Sequence, residues 1–183
     1  MSLLTKKELA ASLKKMMQKT PFDKITVKDL VKECGVNRQT FYYHFQDIYE
    51  LLGWIYKTEA LGAIADYKSY ETWQQGFLKI FQYVGNNKEF CTNTIRSLGR
   101  DHLEEFLYSV TFNLLINVVE EVAVDKEVSQ EDKNFIAGFY SYAFIGLLLD
   151  WLKKGAKENP EQVIDRLSKL IEGDMNRAIS KYA

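Results

Sequence analysis

The chain has 183 residues, 46% of them hydrophobic, with 24 basic and 25 acidic side chains and a formal net charge of −1. Two prolines and ten glycines leave little material for a β-sandwich or long loops, and two cysteines with two histidines make neither a disulfide framework nor a metal-ligand cluster. The near-neutral total hides a split: residues 1–45 hold nine basic and four acidic groups, the remainder 15 and 21. A basic head on an acidic body points to a nucleic-acid partner for the head.

The first predicted element runs through MSLLTKKELAASLKKMM, whose Leu9, Leu13, Met16 and Met17 form a helical stripe. It lacks the continuous apolar run of a signal peptide, so an intracellular protein is expected. Thr20-Pro21-Phe22 breaks that helix. Thr26 is then a good N-cap with Asp29 three residues on, and Val27, Leu30, Val31 and Cys34 follow at helical spacing. Gly35 stops this second helix in a tight left-handed turn. Asn37 caps a third, whose first turn carries Arg38, Gln39 and Thr40. Two helices joined by a short Gly-containing turn are the layout of a helix-turn-helix, whose second helix meets base edges with its N-terminal residues. Phe41 and Phe45 fall on one face as core anchors, leaving Tyr42, Tyr43 and His44 on the flanks or outer face. Polar-tipped aromatic side chains there suit a surface that presses on sugars and phosphates.

Beyond Phe45 the chain reads as helices throughout. Asp47 with Glu50 caps a helix through Leu51, Leu52, Ile55 and Tyr56 to about Ala65. Thr72 and Gln75 look like a capping box for a helix bearing Trp73, Phe77, Phe81 and Val84, which Gly85-Asn86 ends. A short helix follows near Lys88–Ile95, then a long one near Asp101–Val122. Another runs from the Ser129 cap, with Asp132, to Lys154 and closes at Gly155. A last helix starts at Asn159 with Pro160 in its first position and continues to Ile179. Both cysteines sit in helical patterns and read as buried small hydrophobes.

Asn134–Leu149 carries no charge, but 16 residues is short of the ~20 needed to cross a bilayer. A helix apolar all round must be covered all round, and a second copy of the chain is one cover available. Gly138, Tyr142 and Gly146 form a small-residue strip that lets another backbone approach. With Leu149 and the apolar stripe of the last helix (Leu167, Leu170, Ile171) it suggests a two-fold, four-helix interface. A glycine strip packed within one protomer is the other reading. Trp73, Phe77 and Phe81 share a helical face that Tyr108, Phe112, Phe139 and Tyr140 can meet, a candidate effector pocket, although aromatic stripes at this spacing more often form core. No set of paired acids, Ser-His-Asp constellation or phosphate-cradling loop is visible. His102 beside Asp101 reads as helix-start chemistry. No enzyme, cofactor or metal is expected.

The segment from Gly35 onward resembles the DNA-binding domain of the TetR/AcrR family of bacterial repressors, whose motif runs roughly G-V-x-x-x-T-hydrophobic-Y-x-H-F-x-x-K-x-x-L. Gly35, Val36, Thr40, Phe41, Tyr42, His44, Phe45 and Leu52 match it. Ile48 departs from it, standing where the family has a phosphate-holding lysine, and Lys57 lies too far along to replace it. The resemblance covers about a quarter of the chain. It implies an all-α protein of about nine helices: a three-helix DNA-binding domain at 1–46, and an effector-binding and dimerisation domain at 47–183 that includes a connector helix. Thr26, Lys28, Arg38, Gln39, Thr40, Tyr42, Tyr43 and His44 become the candidate DNA contacts. The implied protein is a cytoplasmic homodimer that binds a pseudo-palindromic double-stranded operator, without a membrane partner. Scattered segments, RQTFYYHFQDIYELLGWIY and YETWQ, resemble the branch containing the activator of the dihydroxyacetone kinase operon. The effector is therefore expected to be a small molecule or a kinase-like coregulator protein. The competing expectation is a helical small-molecule- or protein-binding module whose helix-turn-helix is only scaffold.

Overall fold

A computed structural model describes residues 2–60, 69–171 and 173–183. Among the described residues the chain forms helices and no strand: α1 (Ser2–Met17), α2 (Val27–Cys34), α3 (Arg38–His44), α4 (Ile48–Ala60), α5 (Trp73–Asn86), α6 (Lys88–Ile95), α7 (Arg100–Val122), α8 (Gln130–Lys153), α9 (Pro160–Ile171) and α10 (Asp174–Ser180), with a 3-10 turn at Phe22–Lys24. The expected last turn of the connector helix, to Ala65, lies outside the described residues. The chain divides into two compact units, one of Met1–Glu59 with Asn87–Phe106, the other of Ala60–Asn86 with Leu107–Ala183.

In the first unit α1 packs on α2, α3 and α6. Its stripe of Leu9, Leu13 and Met17 is buried together with Phe22, Leu30, Phe41, Phe45, Leu51 and Leu52. Burying a side chain of this size contributes about 1.5–3 kcal/mol, so this apolar set is what holds three short helices that would not persist alone. The cap signals form as read. Thr26 Oγ1 accepts from Asp29 N at 3.2 Å while Asp29 Oδ2 accepts from Thr26 N at 3.2 Å. Gly35 ends α2 at φ 74°, a left-handed conformation that a Cβ would strain. Asp47 accepts from Glu50 N at 2.8 Å, and Glu50 accepts from Gln46 N at 2.5 Å. Cys34 departs from expectation, being only half-buried, whereas Cys91 is buried. His102 lies against Gly53: a Cβ built on that glycine would stand 3.0 Å from Nδ1.

In the second unit α5 packs on α8 and α9, and α10 on α8. Phe77, Ile80, Phe81 and Val84 are buried on α5, as are Phe144, Leu148, Trp151 and Leu152 on α8. Trp151 Nε1 donates to Glu158 O at 2.8 Å, tying the end of α8 to the approach of α9. The Thr72–Gln75 box does not form. The Thr72 hydroxyl turns back to Ser69, accepting from its N–H at 3.1 Å, and Ser69 O takes the first N–H of α5 at 3.0 Å. The last helix is also not continuous: Gly173, at φ 74°, separates α9 from α10. That break lets Met175 and Ile179 reach the core from a new direction, and both are buried. The Ser129 cap on α8 is as expected, accepting from Asp132 N at 3.1 Å.

At 24 residues α8 exceeds the uncharged stretch read from sequence, and by length and composition it could cross a membrane. Half of its apolar window is buried inside the fold. Ile136, Ala137, Ser141, Phe144, Ile145 and Leu148 line that inner face, as expected of a core helix.

Candidate nucleic-acid interface

The reading helix is short and held at both ends. Asn37 Oδ1 accepts from Thr40 N at 2.8 Å and from the Thr40 hydroxyl at 3.0 Å, closing the first turn of α3. Phe41 and Phe45 are buried and anchor the inner face. Their burial aims the remaining positions outward: Arg38 and Gln39 are exposed, Tyr42 is 57% and Tyr43 82% exposed. Tyr42 lies edge-on to Phe41 at 5.4 Å between ring centroids, but most of each tyrosine is uncovered and the hydroxyls can reach a nucleic-acid backbone. His44 is half-buried, its ring edge-on to Tyr43 at 4.9 Å.

Two candidate hydroxyls are already committed. Thr26 Oγ1 donates to Asp29 Oδ2 at 2.5 Å, and Thr40 Oγ1 donates within the Asn37 cap. Both threonines therefore shape the helix starts that carry the contacts. The Thr26 bonds, side chain first and backbone second, hold the Asp29 carboxyl below its ordinary 3.8, helped by Lys28 and Lys32. Lys15 similarly bonds Glu33 at 2.6 Å and lowers its pKa. Lys14 pairs with Glu59 at 2.8 Å. No ion pair among the described residues engages Lys28, Lys32 or Arg38, so positive charge stays open along α2 and α3. Sequence reasoning missed Lys6, whose Nζ lies 5.2 Å from the Phe45 ring and 5.9 Å from that of Trp54, a cation held beside the end of α3. Nothing in the spacing of a lysine on the first helix signals that approach.

Among the described residues, the candidate aromatic side chains of the second unit do not all meet one another. Trp73 and Phe77 meet Phe144, at 6.0 and 4.2 Å between ring centroids, and Phe81 meets Trp151 at 5.1 Å. Tyr108 instead stacks with Phe112 at 5.6 Å and approaches Tyr142 at 5.0 Å. Tyr140 lies 6.5 Å from Phe144, and burial with nearby Asp174 raises its pKa. Phe139 is 62% exposed. A cavity of about 420 Å³ is lined by Trp73 with Leu115, Val118, Ile171 and Met175, and by polar Tyr70, Glu71, Gln74 and Ser168. Of the seven aromatic candidates only Trp73 borders it.

The interface candidates also divide. Gly138 is buried within the protomer, Leu149 and Leu167 are buried, and Ile171 is half-buried. Tyr142, Gly146 and Leu170 are exposed, and a Cβ on Gly146 would meet nothing within 4 Å. Phe135 and Phe139 join Tyr142 and Gly146 along one open face of α8.

A capped helix-turn-helix with a cationic, tyrosine-bearing outer face, joined to a second all-helical unit, defines a DNA-binding regulator. The profile described as "Bacterial regulatory proteins, tetR family" matches residues 9–53, and that described as "Transcriptional regulator C-terminal region", of the same family, matches 71–173. The chain belongs to the TetR family of transcription regulators, DNA-binding proteins with a C-terminal effector-binding domain. It is 29% identical over 156 residues to the HTH-type dhaKLM operon transcriptional activator DhaS of Lactococcus lactis subsp. lactis (strain IL1403), covering 84% of this chain and 82% of that protein. A solved structure titled dihydroxyacetone kinase operon activator DhaS matches with a TM-score of 0.74 at 25% identity, over 96% of this chain and 98% of that one. NalD, the secondary repressor of the MexAB-OprM multidrug efflux pump in Pseudomonas aeruginosa, shares the fold at a TM-score of 0.65 and 13% identity, over 97% and 96%.

Proposed function

We propose that this chain works as a cytoplasmic homodimer whose two heads grip a pseudo-palindromic operator, with Arg38 and Gln39 on base edges and Lys28, Tyr42 and Tyr43 on the backbone. The observation that carries this reading is the outer face of α3, where exposed Tyr42 and Tyr43 share a helix with exposed Arg38, which has no ion pair among the described residues. The proposed dimer contact is the open face of α8, Phe135, Phe139, Tyr142 and Gly146, together with exposed Leu170 of α9. Because Gly138 is covered within the protomer, it is left out of that contact.

The likeness to DhaS supports a role in controlling an operon of dihydroxyacetone metabolism. Aromatic rings of α5 that pack on Phe144 and Trp151 favour a signal delivered by a kinase-like coregulator over a small molecule among those rings. The scaffold-only alternative gives no reason for the exposure of Tyr42 and Tyr43. If each head neutralises roughly three to five phosphates, log affinity for duplex DNA falls with log salt at a slope of about −5 to −9 for the dimer. A titration across salt concentrations measures it. A complex indifferent to salt removes the basic head from DNA binding.

A further inference from the structure

We propose that Asn93, on α6 and outside the helix-turn-helix, is a positioning residue for DNA binding and the joint through which α6 reports to the head. The end of α1 has no glycine to close it: Gln18-Lys19-Thr20-Pro21 follows Met17, and Pro21 brings no N–H. The N–H groups of Gln18, Lys19 and Thr20 turn back to Lys15 and Met16 carbonyls, but Met17 O, Thr20 O and Phe22 N need partners from elsewhere. Asn93 supplies them, donating from Nδ2 to Met17 O at 2.7 Å and to Thr20 O at 2.8 Å, and accepting at Oδ1 from Phe22 N at 2.8 Å. One side chain more than 70 residues downstream thus ties two carbonyls and one N–H, all part-buried, of the bend that leads into α2. The path of this bend sets where α2 begins, and α2 sets α3.

The neighbouring residue makes the matching tie to α4. The Tyr56 hydroxyl donates to Thr94 Oγ1 at 2.8 Å in a buried pair, and Thr94 donates to Phe90 O within α6. Past α6 the chain stays docked: Leu98 N donates to Asp23 at 3.1 Å, and a Cβ on Gly99 would fall 2.5 Å from Leu52 and 3.2 Å from Phe22. The Asn93 amide holds the connector through donor and acceptor together, at three backbone groups, so it fixes α6 in orientation as well as distance. A shift of α6 then alters the connector, and by linkage DNA on the head alters α6.

This inference rests on DNA binding by the head, which the wild-type chain tests separately through its salt-dependent affinity for random duplex. The experiment takes wild type, Asn93→Ala and Asn93→Asp with a duplex that the wild type has selected from a random pool. Affinity, thermal unfolding and amide hydrogen exchange are read with and without saturating duplex. In the wild type, duplex should slow exchange in α6 as well as in α2 and α3. Asn93→Ala should bind roughly tenfold more weakly, keep DNA protection of α2 and α3 at saturation, and lose the α6 response. Asn93→Asp keeps the acceptor for Phe22 N–H but turns a carboxylate on two carbonyls, so it should be at least as weak. A residue that only stabilises the fold would lower the melting temperature and leave the α6 response intact. That result, or wild-type α6 amides indifferent to duplex, overturns the proposal. The second readout needs no variant to fold.

Discussion

Arg38 stands in the first turn of α3, beyond the Asn37 cap, where a guanidinium can pair bidentately with guanine O6 and N7. Arg38→Ala should cost roughly 1–3 kcal/mol on the preferred operator and relax one base pair per half-site. Operator selection from a random pool with both proteins checks it. A consensus that stays unchanged under uniformly weaker binding makes Arg38 a phosphate contact and moves base reading to Gln39 and Tyr42. The cysteines separate at the same scale. Burial drives the Cys91 thiol up to about 12, whereas Cys34 is half-buried. Since the thiolate is the nucleophile, a thiol reagent at mildly alkaline pH should modify Cys34 and spare Cys91 in the folded chain. Labelling with Cys34→Ser measures the difference; modification undiminished in that variant contradicts it. Arg38 and Gln39 were legible in the sequence because a cap fixes which residues form the first turn. The Cys34 exposure was not, since helical spacing marks a face without saying how fully a neighbour covers it.

At the scale of the element, α2 depends on the reciprocal Thr26–Asp29 cap. Hydrogen bonds from Thr26, with Lys28 and Lys32 behind them, depress the Asp29 pKa. A depressed carboxyl stabilises the fold above its unfolded pKa and stops doing so as pH falls through its folded value. The stability advantage of wild type over Asp29→Asn should therefore be full near pH 6 and shrink steadily below about pH 4. Paired thermal melts followed by circular dichroism across that range test it. A gap independent of pH would mean that the charge of Asp29 contributes nothing. Capping residues make the starts of α2, α3, α4 and α8 legible in the sequence. The start of α5 at Trp73 is readable too, but not the bond Thr72 makes there, because it has a competing local partner in Ser69; the break between α9 and α10 is not readable, because Gly173 lies within an unbroken apolar stripe.

For the whole molecule, the open face of α8 carries the expectation of symmetry. Gly146→Glu sets a carboxylate on that face, and removing an uncompensated charge from water is costly. The variant should dissociate in light scattering, and its footprint should lose the paired half-sites spaced about 34 Å or a multiple apart. Because nothing lies within 4 Å of that position in the protomer, the fold of the single chain should survive. A dimer that persists in the variant, alongside a footprint of two half-sites, would move the interface off this face.

The sequence by itself determined what short-range chemistry controls: the all-helical class, the caps, the turn at Gly35 and the outward set of Arg38, Gln39, Tyr42 and Tyr43. Each follows from backbone geometry and helical period within one or two turns. Tertiary structure alone decided which apolar faces find partners. It put Phe139 outside and Phe144 inside, covered Gly138 while leaving Gly146 open, and brought Asn93 to the end of α1. Such choices depend on packing between segments far apart in the chain, where periodicity names a face but not what it meets.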